Sequence, residues 1–152
     1  MTDINLVDGK ILLKYLKKGV EVEKTIDPKD TSDEIIGGIY TTTRNMVAHL
    51  IVSKGNWNNN VHSIIMPLVK ELVEFAQGYK YINGRNKKKL VVTLITEIIT
   101  KELEVADVEE SIKELILQGV ELVIEPAIDL AVFASGSIKL NKKALKKIFV
   151  CF

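Results

Sequence analysis

The chain has 152 residues, 47% of them hydrophobic and 27% charged. That balance excludes a disordered polymer and suits one folded domain with a sizeable core. Lysine and arginine number 21 against 20 aspartates and glutamates, so no global field draws the protein onto nucleic acid. A single cysteine, Cys151, excludes an intramolecular disulfide and a cysteine-built zinc site.

Residues 1–30 read as a loosely attached N-terminal segment. Met1 to Asp8 contain no basic run followed by an apolar core, so they do not form a secretory signal, and an intracellular location is expected. Ile11, Leu12, Tyr15 and Leu16 suit a short amphipathic helix with Gly19 as its left-handed cap. The Val-Glu-Val-Glu alternation after Gly19 suits a short strand, but a strand without a partner is unstable and Pro28 breaks the pattern, so Val20 to Asp30 is predicted as a loop.

Thr31 with Glu34 forms a capping-box pattern, and Ile35, Ile39, Thr43, Met46 and Leu50 then share one helical face. Gly37 and Gly38 mark close packing or a late start, and Gly55 closes the helix. Asn60 can cap the next helix, where Ile64, Ile65, Leu68, Val69, Leu72 and Val73 recur at three and four; Pro67 predicts a kink or the true first turn. Asn83-Gly84 reads as a turn, and a fourth helix starting near Asn86 carries Leu90, Val91, Leu94, Ile95, Ile98 and Ile99. Asp107 with Glu110 caps a fifth, which Pro126 breaks or bends, and Asn141 can cap a short basic helix after Ser135-Gly136. The expectation is a single all-α domain over 1–152, a bundle of five or six amphipathic helices with a basic docking helix at 137–152.

Leu115 to Phe133 is the most apolar stretch, but it contains Glu121, Glu125 and Asp129. Each acid costs about 2.5–3.5 kcal/mol near a bilayer centre, which rejects a simple span.

No residue set assembles a catalytic centre. The four-residue spacing of Glu121, Glu125 and Asp129 could gather carboxylates for a cation, yet no glutamate-x-x-histidine pair accompanies it, and a wet helix face accounts for the stripe. His49 and His62 lie on separate helices with no acid at ligand spacing and read as structural. There is no nucleophile elbow and no phosphate-cradling glycine spacing. No enzyme, metal, cofactor or small-molecule substrate is expected. Lys87, Lys88 and Lys89 stand in the first turn of a helix, where the dipole opposes them, and read as a solvated start.

The most specific surface element is the lysine-rich end. Leu145, Ile148, Phe149 and Phe152 fall on one side of a helix from Leu140, with Lys142, Lys143, Lys146 and Lys147 on the other. No acidic residue follows Asp129. Such an element suits docking on the protein's own core, on a protein partner or on a membrane surface, and Cys151 does not form a prenylation signal.

The segments Asn86-Lys-Lys-Lys-Leu-Val-Val-Thr-Leu-Ile95 and Ile128-Asp-Leu-Ala-Val-Phe-Ala-Ser-Gly-Ser-Ile-Lys-Leu-Asn-Lys142, with a cysteine near the end, resemble small uncharacterised proteins of large nucleocytoplasmic DNA viruses. The resemblance covers residues 83–152, with one terminal cysteine where a pair is expected. It implies a virus-encoded, virion-associated helical protein located in the host cytoplasm or virion, and transfers no functional residues. The expected function is that of a non-enzymatic structural or interaction protein working through helix-mediated contacts and forming homo-oligomers. The alternative is a peripheral membrane protein anchored by its C-terminal helix.

Overall fold

A computed structural model describes residues 2–57, 59–127 and 129, with backbone alone at 59–62. The expected C-terminal docking helix, with Lys142, Lys143, Leu145, Lys146, Lys147, Ile148, Phe149 and Phe152, lies outside the described residues, as does Cys151.

The first thirty residues overturn the all-α expectation. They form a three-stranded antiparallel sheet in the order β1 (Asp3–Val7), β2 (Lys10–Lys17), β3 (Val20–Ile26). Two-residue turns join the strands. Asp8 and Gly9 have φ of 53° and 76°, and Lys18 and Gly19 have φ of 51° and 79°. Consecutive left-handed residues make the tight hairpin turn whose twist matches that of the flanking strands, and glycine takes its second place without a Cβ penalty. Gly19 is therefore a hairpin residue and not a helix cap.

The period of β2 is two. Ile11, Leu13 and Tyr15 are buried, whereas Leu16 is exposed and Leu12 and Lys14 are half-buried. The register sets Ile4 opposite Leu13, Ile11 opposite Ile26 and Tyr15 opposite Val22, so one face of the sheet is apolar. The other face sets Lys14 between Asp3 and Glu23, an alternation of charge that favours this register. The alternation predicted as a loop thus has its partner immediately upstream. Nor is the segment loosely attached: Ile4, Ile11, Leu13, Tyr15 and Ile26 join the same hydrophobic cluster as the helices. Each such burial contributes about 1.5–3 kcal/mol.

Four α-helices follow among the described residues: α1 (Glu34–Val52), α2 (Asn59–Gln77), α3 (Gly84–Val105) and α4 (Glu110–Gly119). Asp33, not Thr31, caps α1, its carboxylate accepting the Ile35 and Ile36 backbone N–H groups at 3.0 and 3.1 Å. Asn83 caps α3 by accepting from the Asn86 N–H at 2.9 Å, so the predicted turn is a helix start. The expected cap Asp107 instead adopts φ 51° in the linker, and Glu109 stands at the N-cap of α4. Pro67 sits inside α2 without ending it.

Helix α1 packs against both α2 and α3, and Gly37 and Gly38 allow this end of α1 to lie against Thr31 and Glu71. The apolar stripe of α3, from Leu90 through Leu94, Ile95, Ile98 and Ile99 to Leu103, is buried along its length. Helix α4 runs on into a π-helical turn over Val120–Ile124, after which 125–127 are again helical. Pro126 supplies the reason: it has no N–H for the Leu122 carbonyl and its ring crowds that carbonyl, so the preceding turn widens. The expected break becomes a bulge.

Candidate interaction surface

The first turn of α3 carries Lys87, Lys88 and Lys89, and the structure departs from a solvated helix start. Lys87 is only 9% exposed, its stem packed into the core edge. The Lys88 ammonium lies 2.9 Å from Glu125 Oε1 and 3.2 Å from Asp129 Oδ1. Its hydrogen bond to Glu125 holds it above the ordinary lysine range, against the opposing effect of burial and with further support from Asp129. Two members of the acidic stripe thus compensate a lysine at the unfavourable end of a helix dipole. Glu121 is exposed, with no salt bridge among the described residues.

Between α3 and the α4–π segment lies a groove of about 310 Å³. Val92, Ile95, Leu117, Val120 and Ile124 give it apolar walls; Thr96 and Thr100 line the α3 side, and Glu121 and Glu125 bring carboxylates to the other. The stripe Val92, Thr96, Thr100 has a spacing of four and stands half-buried beside the fully buried stripe of α3. That second stripe is the one signal of the groove carried by the sequence, and it is absent from the apolar face predicted for this helix. Helix packing against a surface with threonines at this spacing leaves room for a further apolar element.

A second polar cluster ties the other end of α3 to α1. The Tyr40 hydroxyl donates to Glu102 Oε1 at 2.8 Å, and Arg44 Nε lies 3.6 Å from Glu102 Oε2. Donation to that carboxylate, with burial and the negative charge beside it, raises the Tyr40 pKa against the pull of Arg44. The loop after α2 sets Tyr79 and Tyr81 beneath two lysines of the sheet: Lys24 Nζ stands 5.6 Å from the Tyr79 ring centre and Lys17 Nζ 5.4 Å from that of Tyr81. These are packing contacts that seat the sheet on the helices.

His49 is exposed in the last turn of α1, and the side chain of His62 lies outside the described residues. Among the described residues no group of three or more histidine, cysteine, aspartate or glutamate side chains is arranged to hold a metal ion. Nor is any described helix long and apolar enough to cross a membrane. Large apolar side chains do reach solvent on α4 and its π extension, Leu115 at 49% and Leu122 at 77% exposure.

No family model matches the chain, and neither a curated protein nor a solved structure is similar to it.

Proposed function

We propose that this is a protein-interaction domain, non-enzymatic, that contacts a second copy of itself through helical apolar surface. The carrying observation is the acid-rimmed apolar groove between α3 and the α4–π segment, which suits insertion of an amphipathic helix. The exposed Leu115 and Leu122 extend the apolar surface of the same element. The viral, virion-associated setting implied by the resemblance of residues 83–152 remains part of this proposal and is compatible with an assembly role.

Sedimentation velocity over a range of concentrations tests it, on the intact chain and on a truncation after Gly136. Self-association of at least one form is expected, and Thr96→Arg, which places a bulky charge on a half-buried groove position, abolishes it. Two forms that stay monomeric throughout refute the proposal.

A further inference from the structure

We propose that the tip of the β2–β3 hairpin, Leu16 to Val20, is the element that a second copy inserts into the groove between α3 and the α4–π segment. This rests on the reading of that groove as a self-contact surface and names what enters it.

The rim decides the charge of the occupant. Glu121 and Glu125 line the groove. Glu125 shares Lys88 with Asp129, and Glu121 has no salt bridge among the described residues. Two such grooves set face to face bring like charges together, which disfavours a groove-to-groove contact. The exposed Leu115 and Leu122 fail as donors on the same ground, because they stand beside exposed Glu114 and Glu121. Among the described residues α1, α2 and α3 each expose one large apolar side chain, Val52, Met66 and Val105, too little for an apolar stripe.

The two hairpin turns remain, and they differ. Gly9 in the first is seated against the Lys101 ammonium, and its neighbour Asp8 is an acid. Gly19 in the second has open space on its Cβ side, with nothing within 4 Å among the described residues. This tip therefore projects clear of the body and does not sit in its own groove. It carries Leu16 at 46% and Val20 at 66% exposure, with exposed Lys17 and Lys18 between them. Two apolar side chains, two cations and no acid within five residues complement an acid-rimmed apolar trough.

The ribbon also fits in shape. Lys17 pairs with Val20 and Leu16 with Glu21, so Val20 and Leu16 stand on opposite faces. The groove has two apolar walls, Val92 on α3 and Val120 with Ile124 on the other side. A tip entering end-on gives one apolar side chain to each wall and keeps its lysines at the rim. Paired strands lie about 4.8 Å apart, within the roughly 12 Å of helical rise from Val92 to Thr100. The Lys17 ammonium lies 5.4 Å from the Tyr81 ring centre. That contact ties the hairpin to the loop before α3, so docking orders little that is not already ordered.

The contact joins unlike surfaces, one tip and one groove per copy, and this makes it testable by complementation. Lys18→Glu combined with Val20→Glu reverses the tip charge; the carboxylate at position 20 faces Lys17 across the ladder, which keeps the hairpin register. In sedimentation velocity of the full chain this tip variant should raise the dissociation constant by at least about tenfold. Thr96→Arg should abolish association from the groove side, and Glu121→Lys, at an exposed position, should weaken it. An equimolar mixture of the tip variant with Thr96→Arg should form a 1:1 dimer and nothing larger, because one intact tip meets one intact groove. Without any substitution, added sodium chloride should weaken association of the parent chain. Cooperative urea unfolding checks that each variant is folded. A folded tip variant that associates like the parent overturns the inference and leaves the groove reading standing, as does a mixture that stays monomeric while the parent associates. Parent association that salt leaves unchanged or strengthens also overturns it. A parent chain that is monomeric at every concentration removes the inference.

Discussion

Gly119 closes α4 where the π-turn begins, and the indole of Trp57 lies directly on it. A Cβ at position 119 would stand 1.6 Å from Trp57 Nε1, 2.2 Å from Cε2 and 2.5 Å from Cδ1. Contacts under 3.0 Å require something to move, and the obstacle is a rigid ring. Two effects of Gly119→Ala therefore compete. Alanine gains about 1 kcal/mol over glycine in a helix interior, and overpacking costs about 1–3 kcal/mol. Because three ring atoms lie inside the forbidden distance, the upper part of that range applies, and the net loss is expected at about 1–2 kcal/mol. For a chain of this length that lowers Tm by about 2–8 °C. Urea unfolding followed by the emission of the single tryptophan reads both the loss and the displaced ring. Trp57→Phe narrows the obstacle, so the double variant should recover part of the loss, a coupling measurable by a double-mutant cycle. If Gly119→Ala equals or exceeds the parent in stability with unchanged emission, the packing of Trp57 on α4 is refuted.

Thr43 is fully buried in α1, and its hydroxyl has no hydrogen-bond partner among the described residues. Thr43→Val keeps the shape and removes the unpaired group, and is expected to raise stability by about 1 kcal/mol in chemical denaturation, whereas Thr43→Ser should not. Tyr79 has its phenol pushed up to about 12, first by burial and then by the negative charges of Tyr15 and Asp33. A raised folded pKa means that the folded state holds its proton longer than the unfolded state. The associated stability is fully present below pH 10 and is lost as pH rises from there through about 12. Unfolding free energies across that range should flatten in Tyr79→Phe; an unchanged slope contradicts the burial.

Helix faces were legible in the sequence because burial on one side repeats along many turns. Leu90, Val91, Leu94, Ile95, Ile98 and Ile99 were read as one face and are all buried. The sheet is hard to read because one short run holds both patterns: Ile11, Leu12, Tyr15 and Leu16 suit a helical spacing, whereas Ile11, Leu13 and Tyr15 have a period of two. The deciding signals were local ones, Asp8-Gly9 and Lys18-Gly19, each standing two residues wide between apolar runs. The Val20 alternation is a strand only by virtue of its upstream neighbour, β2, which pairs with it. Cap positions shifted for a related reason: Thr31, Asp33 and Glu34 all suit a helix start, and the geometry selects Asp33 through its two accepted N–H groups. The groove is only half legible: the Val92, Thr96, Thr100 stripe marks one wall, and the opening itself has no signal of its own. It arises where two helices fail to close on each other, and this is not a property of either helix alone.

The acidic stripe and the lysine cluster, two separate surface features in the sequence, are halves of one junction in the fold. A lysine in the first turn of a helix is disfavoured by about 0.3–1 kcal/mol, and exposed ion pairs contribute about 0.2–1 kcal/mol each. The Lys88 contacts to Glu125 and Asp129 therefore roughly cancel the dipole term and add little stability. Their consequence is geometric. They fix the helical turn around Pro126 against the start of α3, just beyond the π-turn that Pro126 imposes. Val120, Glu121 and Ile124 within that widened turn are groove residues, so the bulge forms one wall of the groove and the ion pairs hold its far end. The proline that sequence logic expects to end a helix instead shapes the surface on which the proposed contact depends.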